Sequence, residues 1–179
     1  MPRYFAFLRA INVGGHTVKM DHLRTLFGAI GLRDVQTFIA SGNVIFDSPA
    51  RNAAALEEKI ERHLKQSLGY EVGTYLRSTG ELAEIARYQP FAPMDLVAGS
   101  ALSIVFMKTA PGAAVRQALS DMQTEIDVFR SYQREIYWLS RSRISDSPAA
   151  PLLGKVLGRS GTMRNVTTVR RLAAKYANQ

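Results

Sequence analysis

The sequence predicts an α+β fold made of two ferredoxin-like halves, each with its own antiparallel sheet. Two observations support this prediction. In the first half, segments with the two-residue alternation of strands and segments with the 3.6-residue period of helices follow in the order βαββαβ. After a proline-rich stretch, a shorter order, βαββα, follows in the second half and is extended by C-terminal helices. The order βαββαβ is typical of ferredoxin-like folds, in which helices pack on a four-stranded sheet.

Each element of the first half has a local signal. Apolar residues at helical spacing follow the first strand, and Gly31 is placed to end that helix. Ser78-Thr79-Gly80-Glu81 is a capping-box pattern that opens a further short helix. The elements expected before it are strands over 4–13, 34–40, 43–47 and 70–77, a helix over 20–30, and a helix opened by Ser48-Pro49 and ended by Gly69.

The second half follows residues 89–100, which are predicted to be a linker or long loop. We therefore expect one domain over 1–88 and a second domain over 101–179. The elements expected in the second domain are strands over 101–109, 125–131 and 134–140, and helices over 112–122, 149–157 and 165–177. The last of these helices is expected to begin with Thr162 or Asn165 as its N-cap.

The positive charge is concentrated near the C-terminus. The chain of 179 residues has a net charge of +8, and residues 141–179 hold eight Lys and Arg against one acid, Asp146. A basic end on a nearly neutral body favours a polyanion such as nucleic acid as the partner. A solvated helix face that keeps the protein in solution is the alternative explanation.

Composition narrows the class of protein further. The sequence contains no cysteine, which excludes disulfides and thiolate chemistry, and no apolar stretch is long enough to span a membrane. The first residues lack the long apolar core of a secretory signal. We therefore expect a cytoplasmic protein with no membrane partner.

The main candidate site is the loop in RAINVGGHTVKM, residues 9–20. In a βαββαβ unit, the loop after the first strand and the turn between the second and third strands lie at the same end of the sheet. The loop and the turn around Ser41 should therefore form a corner whose backbone N–H groups suit an anion. The residues expected there are Arg9, Asn12, Gly14, Gly15, Lys19, Ser41 and Asn43.

The same residues also have a structural explanation that involves no ligand. In this explanation, Gly14 and Gly15 are present only because the turn needs a positive φ, and Asn43 is a turn residue. The loop also matches neither of the glycine-rich phosphate-binding motifs.

A second, basic site is expected at the start of the last helix. Arg164, Asn165, Arg170 and Arg171 would supply positive charge and open N–H groups to an anion. A capped basic terminal helix without a ligand is the simpler interpretation.

The catalytic inventory is small, and the sequence leaves open whether the protein is an enzyme. The three histidines have no metal-ligand spacing, so neither a metal nor a cofactor is predicted. Glu125 and Asp127 fall at the period that places two carboxylates on one strand face, although an edge strand explains them as well. The acids and bases of the second helix, around Glu57 and Glu61, indicate an ion-paired surface.

Aromatic residues in the strands allow a comparison with RNA-binding sheets. Phe5, Phe7, Phe38 and Phe46 could stack on bases, but the third strand lacks the basic-aromatic motif of such domains. Core packing is therefore the better account of them, and of Trp138.

Three blocks of the chain resemble the bacterial DUF1697 family of unknown function: INVGGHTVKM, LRTLFGAIGLRDVQTFIASGNVIF and GTMRNVTTVRRL. The resemblance covers almost the whole chain and implies a bacterial protein with a compact two-part α+β fold and no established activity. In the third block, Val166 and Thr167 stand where the family pattern has tryptophan and asparagine.

The function expected from these features is a binding protein for a phosphate-bearing ligand or nucleic acid. Two alternatives stay open. One is a small-molecule enzyme that acts on an anionic substrate at the corner of Gly14-Gly15 and Ser41-Asn43. The other is an interaction or oligomerisation domain without a ligand; the sequence does not indicate the oligomeric state.

Overall fold

The computed structural model describes residues 1–39 and 42–176. The chain forms two compact units: Met1–Ile85 together with the chain from Leu172 onward, and Ala86–Arg171. Residues 89–100, expected as a linker, fall within the second unit and contain a 3-10 turn at Pro93–Asp95. The domain limits of 1–88 and 101–179 stay a prediction beside this division.

The first unit has the predicted βαββαβ order, followed by a third helix. Its elements are β1 (Arg3–Arg9), α1 (Met20–Ala29), β2 (Arg33–Thr37), β3 (Asn43–Asp47), α2 (Ala53–Leu68), β4 (Gly73–Ser78) and α3 (Thr79–Arg87), whose last two residues belong to the second unit. The sheet order is β2-β3-β1-β4, and β1 pairs antiparallel with both β3 and β4. The predicted ferredoxin-like arrangement of this half is confirmed.

Alternation along β1 decides which side chains meet α1 and α2. Tyr4, Ala6 and Leu8 belong to a core that also contains Phe27 of α1 and Ile60 of α2. Residues of one parity point to one face of a strand, so Phe5 and Phe7 lie on the opposite face. Both are fully buried. The interpretation of these two phenylalanines as packing residues is confirmed.

The open edge of β4 is closed by side chains. An edge strand presents backbone N–H groups that need partners. Glu57 accepts from the Leu76 backbone N–H at 2.8 Å, and Glu61 accepts from the Thr74 N–H at 2.8 Å. The two carboxylates are one helical turn apart on α2 and match alternate residues of the strand. The two carboxylates therefore accept hydrogen bonds from the edge of the sheet, whereas the sequence predicted that they belong to an ion-paired helix surface.

Two of the helix ends predicted from the sequence are found in the structure, and the start of one helix differs. Ser78 and Glu81 form the predicted capping box, since the Ser78 N–H donates to the Glu81 carboxylate at 2.8 Å. Gly69 ends α2 with φ of 83°, as expected. The helix begins later than Ser48-Pro49, because Asn52 is its N-cap and accepts from the Ala55 N–H at 3.1 Å.

The second unit repeats the topology of the first. Its elements are β5 (Ala101–Met107), α4 (Ala113–Asp121), β6 (Asp127–Tyr132), β7 (Glu135–Ser140), α5 (Ala149–Leu157), β8 (Gly161–Asn165) and the start of α6 (Val166–Tyr176), whose residues from Leu172 onward belong to the first unit. The sheet order is β6-β7-β5-β8, and all pairs are antiparallel. The α+β fold with two ferredoxin-like halves and C-terminal helices is therefore confirmed.

One strand of this sheet was not predicted. GTMRN, residues 161–165, forms β8 beside β5 and completes a second βαββαβ order where the sequence indicated βαββα. Its signal is weak because the strand is short, begins at Gly161 soon after Gly158, and runs directly into α6. In the structure, this segment is extended and pairs antiparallel with Ser103–Met107 of β5.

A buried carboxylate ties α5 to the sheet in the second unit. Asp127 accepts from the Trp138 indole at 2.8 Å and from the Ser147 hydroxyl at 2.7 Å, and Ser147 accepts from the Ala149 N–H at 3.0 Å. Trp138 is 1% exposed, as core packing predicted. Glu125 is exposed and precedes β6, so it does not share the buried environment of Asp127.

None of the helices in the described part of the chain combines the length and apolarity needed to cross a membrane.

We predict that Glu57→Ala lowers the free energy of unfolding by about 1–3 kcal/mol, because it leaves the buried Leu76 N–H without its acceptor. Glu58→Ala, at the exposed neighbouring position, is the matched control and should change the free energy by less than about 0.5 kcal/mol. Urea denaturation of both variants measures the difference. Equal effects would contradict the edge-closing role of Glu57.

We also predict an acid-sensitive contribution from Asp47. Its carboxylate accepts from the Arg3 guanidinium at 2.9 Å, and this hydrogen bond lowers the pKa of Asp47 below its usual value of 3.8. A lowered folded-state pKa stabilises the protein at pH above the unfolded value, and the contribution disappears as pH falls through the folded-state value. Urea midpoints at neutral pH and at about pH 2.5 should therefore differ less for Asp47→Asn than for the wild type. Asp121→Asn, at an exposed position, should keep the wild-type difference.

Candidate functional site

The glycine loop between β1 and α1 has the backbone that glycine permits. Gly14 and Gly15 have φ of 63° and 85°, and a Cβ at either position would have open space around it. The glycines are therefore favoured by conformation and not by crowding. A hydrogen bond within the loop stabilises this conformation: the Asn12 side-chain oxygen accepts from the Val18 N–H at 2.7 Å.

Tyr70 supports the same loop from its side. The Tyr70 hydroxyl donates to the Ile11 carbonyl at 2.8 Å, and its ring stacks on His16 with centroids 3.8 Å apart. Burial raises the pKa of Tyr70. The phenol therefore stays protonated at neutral pH and remains a donor.

The predicted second wall of the corner lies beside the loop. A Cβ at Gly42 would come within 2.8 Å of the Ile11 side chain, and the Gly42 carbonyl accepts from the Leu8 N–H at 2.8 Å. Asn43 is buried, and its amide donates to the Phe38 carbonyl at 2.9 Å. Ser41 lies outside the described residues.

The remaining corner residues differ in access. Arg9 is half-buried at the end of β1, whereas Asn12 and Lys19 are exposed. Lys19 is the N-cap residue of α1, and its side chain makes no capping hydrogen bond. The structure thus brings the loop and the turn together but uses the Asn43 amide inside the fold. Anion binding at the corner stays a prediction.

Two residues beside the corner hold a backbone conformation that their side chains disfavour. Ala10 has φ of 63° and Ile39 has φ of 61°. Such left-handed conformations cost energy, above all for a β-branched residue, and they concentrate at functional sites.

The second predicted site is divided by the fold. Arg164 is 9% exposed in β8 and donates to the Thr162 hydroxyl at 3.0 Å and to the Met163 carbonyl at 2.8 Å. Burial lowers the pKa of Arg164 to about 10. Asn165 accepts from the Thr167 N–H at 2.8 Å at the start of α6. Arg170 and Arg171 on α6 are exposed, as is Asn165, so Arg170 and Arg171 are the two arginines of this set that are accessible to solvent.

The exposed charge of the second unit is strongly positive. Among residues 86–171, ten Lys and Arg are exposed against three acids, Asp121, Glu125 and Asp146. The exposed bases are Arg87, Lys108, Arg116, Arg130, Arg141, Arg143, Lys155, Arg159, Arg170 and Arg171. Arg141 pairs with Asp95 at 3.5 Å.

An aromatic cluster, which the sequence did not predict, lies in the same unit. The Tyr88 and Tyr132 rings stack with centroids 4.3 Å apart at 12°, and the Arg130 guanidinium lies 5.7 Å from the Phe91 ring centroid. We call Tyr88, Phe91, Arg130 and Tyr132 the aromatic cluster. Two of its rings belong to YQPF, residues 88–91, a segment in which the sequence predicts the end of a helix and the start of a linker.

Within residues 1–39 and 42–176, no group of three or more His, Asp and Glu side chains could hold a metal ion.

The two βαββαβ units, each with a four-stranded antiparallel sheet, define an α+β protein with two ferredoxin-like halves. A family model described as "Protein of unknown function (DUF1697)" matches residues 1–137, and the chain belongs to this family. The block GTMRNVTTVRRL lies beyond the matched residues.

A comparison with solved structures supports the fold. The chain is similar to a structure described as that of the conserved bacterial protein SP0830 from Streptococcus pneumoniae, with a TM-score of 0.69 and 21% identity over 97% of each chain. No curated protein matches the chain. These comparisons define the family and the fold and assign no activity.

Proposed function

We propose that the protein binds nucleic acid through the exposed basic side chains of its second unit. The observation that carries the proposal is the ratio of ten exposed Lys and Arg to three exposed acids in residues 86–171. Phosphate contacts by such side chains release counterions from the nucleic acid, which supplies most of the affinity in sequence-independent binding.

The aromatic cluster favours single strands over duplexes. Unpaired bases stack on aromatic side chains, whereas the bases of a duplex are already stacked on each other. Tyr132 is 38% exposed and lies two residues from Arg130 on β6, so the two residues share one face of the strand. A cation and an aromatic ring therefore occupy the same face at the edge of the sheet.

The test is fluorescence anisotropy with a labelled single-stranded oligonucleotide at several salt concentrations. We expect the logarithm of the affinity to fall linearly with the logarithm of salt. Arg143→Gln/Lys155→Gln removes two exposed charges, and each lost phosphate contact should reduce the slope by about 0.7. The matched control is Arg51→Gln/Arg62→Gln, which removes the same charge from exposed positions of the first unit.

Two results would contradict the proposal. One is the absence of salt-dependent binding by the wild type. The other is an equal reduction of the slope by the two double variants, which would indicate a response to net charge alone.

The backbone strain at Ala10 and Ile39 supports a second candidate, a small anionic ligand at the glycine corner. An enzyme acting on such a ligand would use the same corner. The candidate is second because the Asn43 amide already donates to the Phe38 carbonyl.

For this second candidate, inorganic phosphate should raise the melting temperature of the wild type in a saturable way. Lys19→Gln should reduce that rise, because Lys19 is the exposed cation beside the loop, and Arg51→Gln should preserve it. Identical rises in the two variants would exclude the corner as the phosphate site.

A further inference from the structure

A small pocket lies in the second unit where the sequence predicted only a linker. It has a volume of about 180 Å³, and its lining residues are Gln89, Pro90, Phe91, Pro93, Leu96, Leu102 and Arg170. The wall is mostly apolar, one side chain carries an amide, and one carries a permanent positive charge. This combination fits a ligand with an apolar ring, a polar edge and an adjoining negative group.

The volume limits what can enter the pocket. A cavity of about 150 Å³ holds a single benzene ring. A volume of about 180 Å³ therefore accommodates one planar ring with its substituents. It is too small for a drug-sized ligand, because such ligands use pockets of roughly 300 Å³ or more.

Strand alternation relates the pocket to the aromatic cluster. Val105 and Met107 of β5 and Phe129 of β6 pack in the core with α4 and α5. Leu102 and Arg130 have the opposite parity on the same two strands, so both lie on the other face of the sheet. Phe91 joins the two features, because its ring lines the pocket and lies under Arg130.

The charge of the pocket agrees with that of its surroundings. Arg170 is exposed on α6 and lines the pocket, and Arg171 is the next residue on the same helix. Among the described residues that line the pocket, none is an acid. A ligand that carries a phosphate next to a planar ring meets both requirements, and a nucleotide within a strand has this chemistry.

We infer that this pocket seats a single unstacked nucleobase of a bound strand, while Arg170 contacts the adjoining phosphate. The inference rests on the proposed function, since the strand is held mainly by the basic side chains around it. Gln89 lies where an amide can hydrogen-bond the edge of the base, and the side chains of Phe91, Leu96 and Leu102 cover the ring. Tyr88 precedes Gln89 in the chain and stacks on Tyr132, which shares a strand face with Arg130, so this pair offers a ring to a neighbouring base.

The test compares two ligands of equal charge, an oligothymidylate and an abasic strand of the same length. We expect the wild type to prefer the strand that carries bases. Leu96→Trp fills the pocket from a position that is already 44% exposed, so the substitution is compatible with folding. The substitution should lower the affinity for the oligothymidylate by roughly tenfold, because one base contact is lost. The affinity for the abasic strand should not change.

Met94→Trp is the matched control, because Met94 belongs to the same segment, is 84% exposed and does not line the pocket. It should bind both strands as the wild type does. Methyl NMR gives a direct readout: the Leu96 and Leu102 resonances should shift with oligothymidylate and not with the abasic strand.

The outcomes separate this inference from the proposed function. Salt-dependent binding with unchanged Leu96 and Leu102 resonances, and equal affinities of Leu96→Trp and Met94→Trp, would overturn the base pocket and leave nucleic-acid binding intact. No salt-dependent binding by the wild type would overturn both. Shifts of the same methyl groups by polyglutamate, but not by oligothymidylate, would assign the pocket to an acidic peptide and overturn the inference.

Discussion

The structure depends on the pairing of the first strand of each unit, which is one of the two inner strands of its sheet. β1 is hydrogen-bonded to β3 on one side and to β4 on the other, and β5 is paired in the same way with β7 and β8. A strand paired on both sides satisfies its backbone internally, so it can be buried, as the middle of β1 is. Each outer strand has one edge whose backbone groups are not paired with another strand. On β4, the N–H groups of Thr74 and Leu76 at this edge donate to Glu61 and Glu57.

The same constraint positions the candidate sites. The loop that follows β1 must leave the sheet beside the turn before β3, which is why Gly42 packs against Ile11. In the second unit, β5 fixes Leu102 on one face of the sheet, and β8 leads directly into α6, which carries Arg170. The sites are thus consequences of strand order, and their side chains come from segments far apart in sequence.

Charge and burial divide the basic residues into two groups with different roles. Arg164 is enclosed in β8, where hydrogen bonds to Thr162 and Met163 satisfy it and burial lowers its pKa. Arg170 and Arg171 lie six and seven residues further along the chain, on α6, and are exposed. A count of charges in the C-terminal segment treats the three arginines alike. Of the three, the two exposed ones contribute to a surface that attracts a polyanion.

The sequence by itself determined the α+β class, the βαββαβ order of the first half, the capping box at Ser78 and the helix end at Gly69. These features follow from periodicity and local hydrogen bonding, which neighbouring residues specify. Tertiary structure decided that residues 161–165 form β8, that Glu57 closes a strand edge, and that Phe91, Leu102 and Arg170 line one pocket. Each of these depends on a partner distant in the chain, and a local pattern carries no information about which distant segment supplies it.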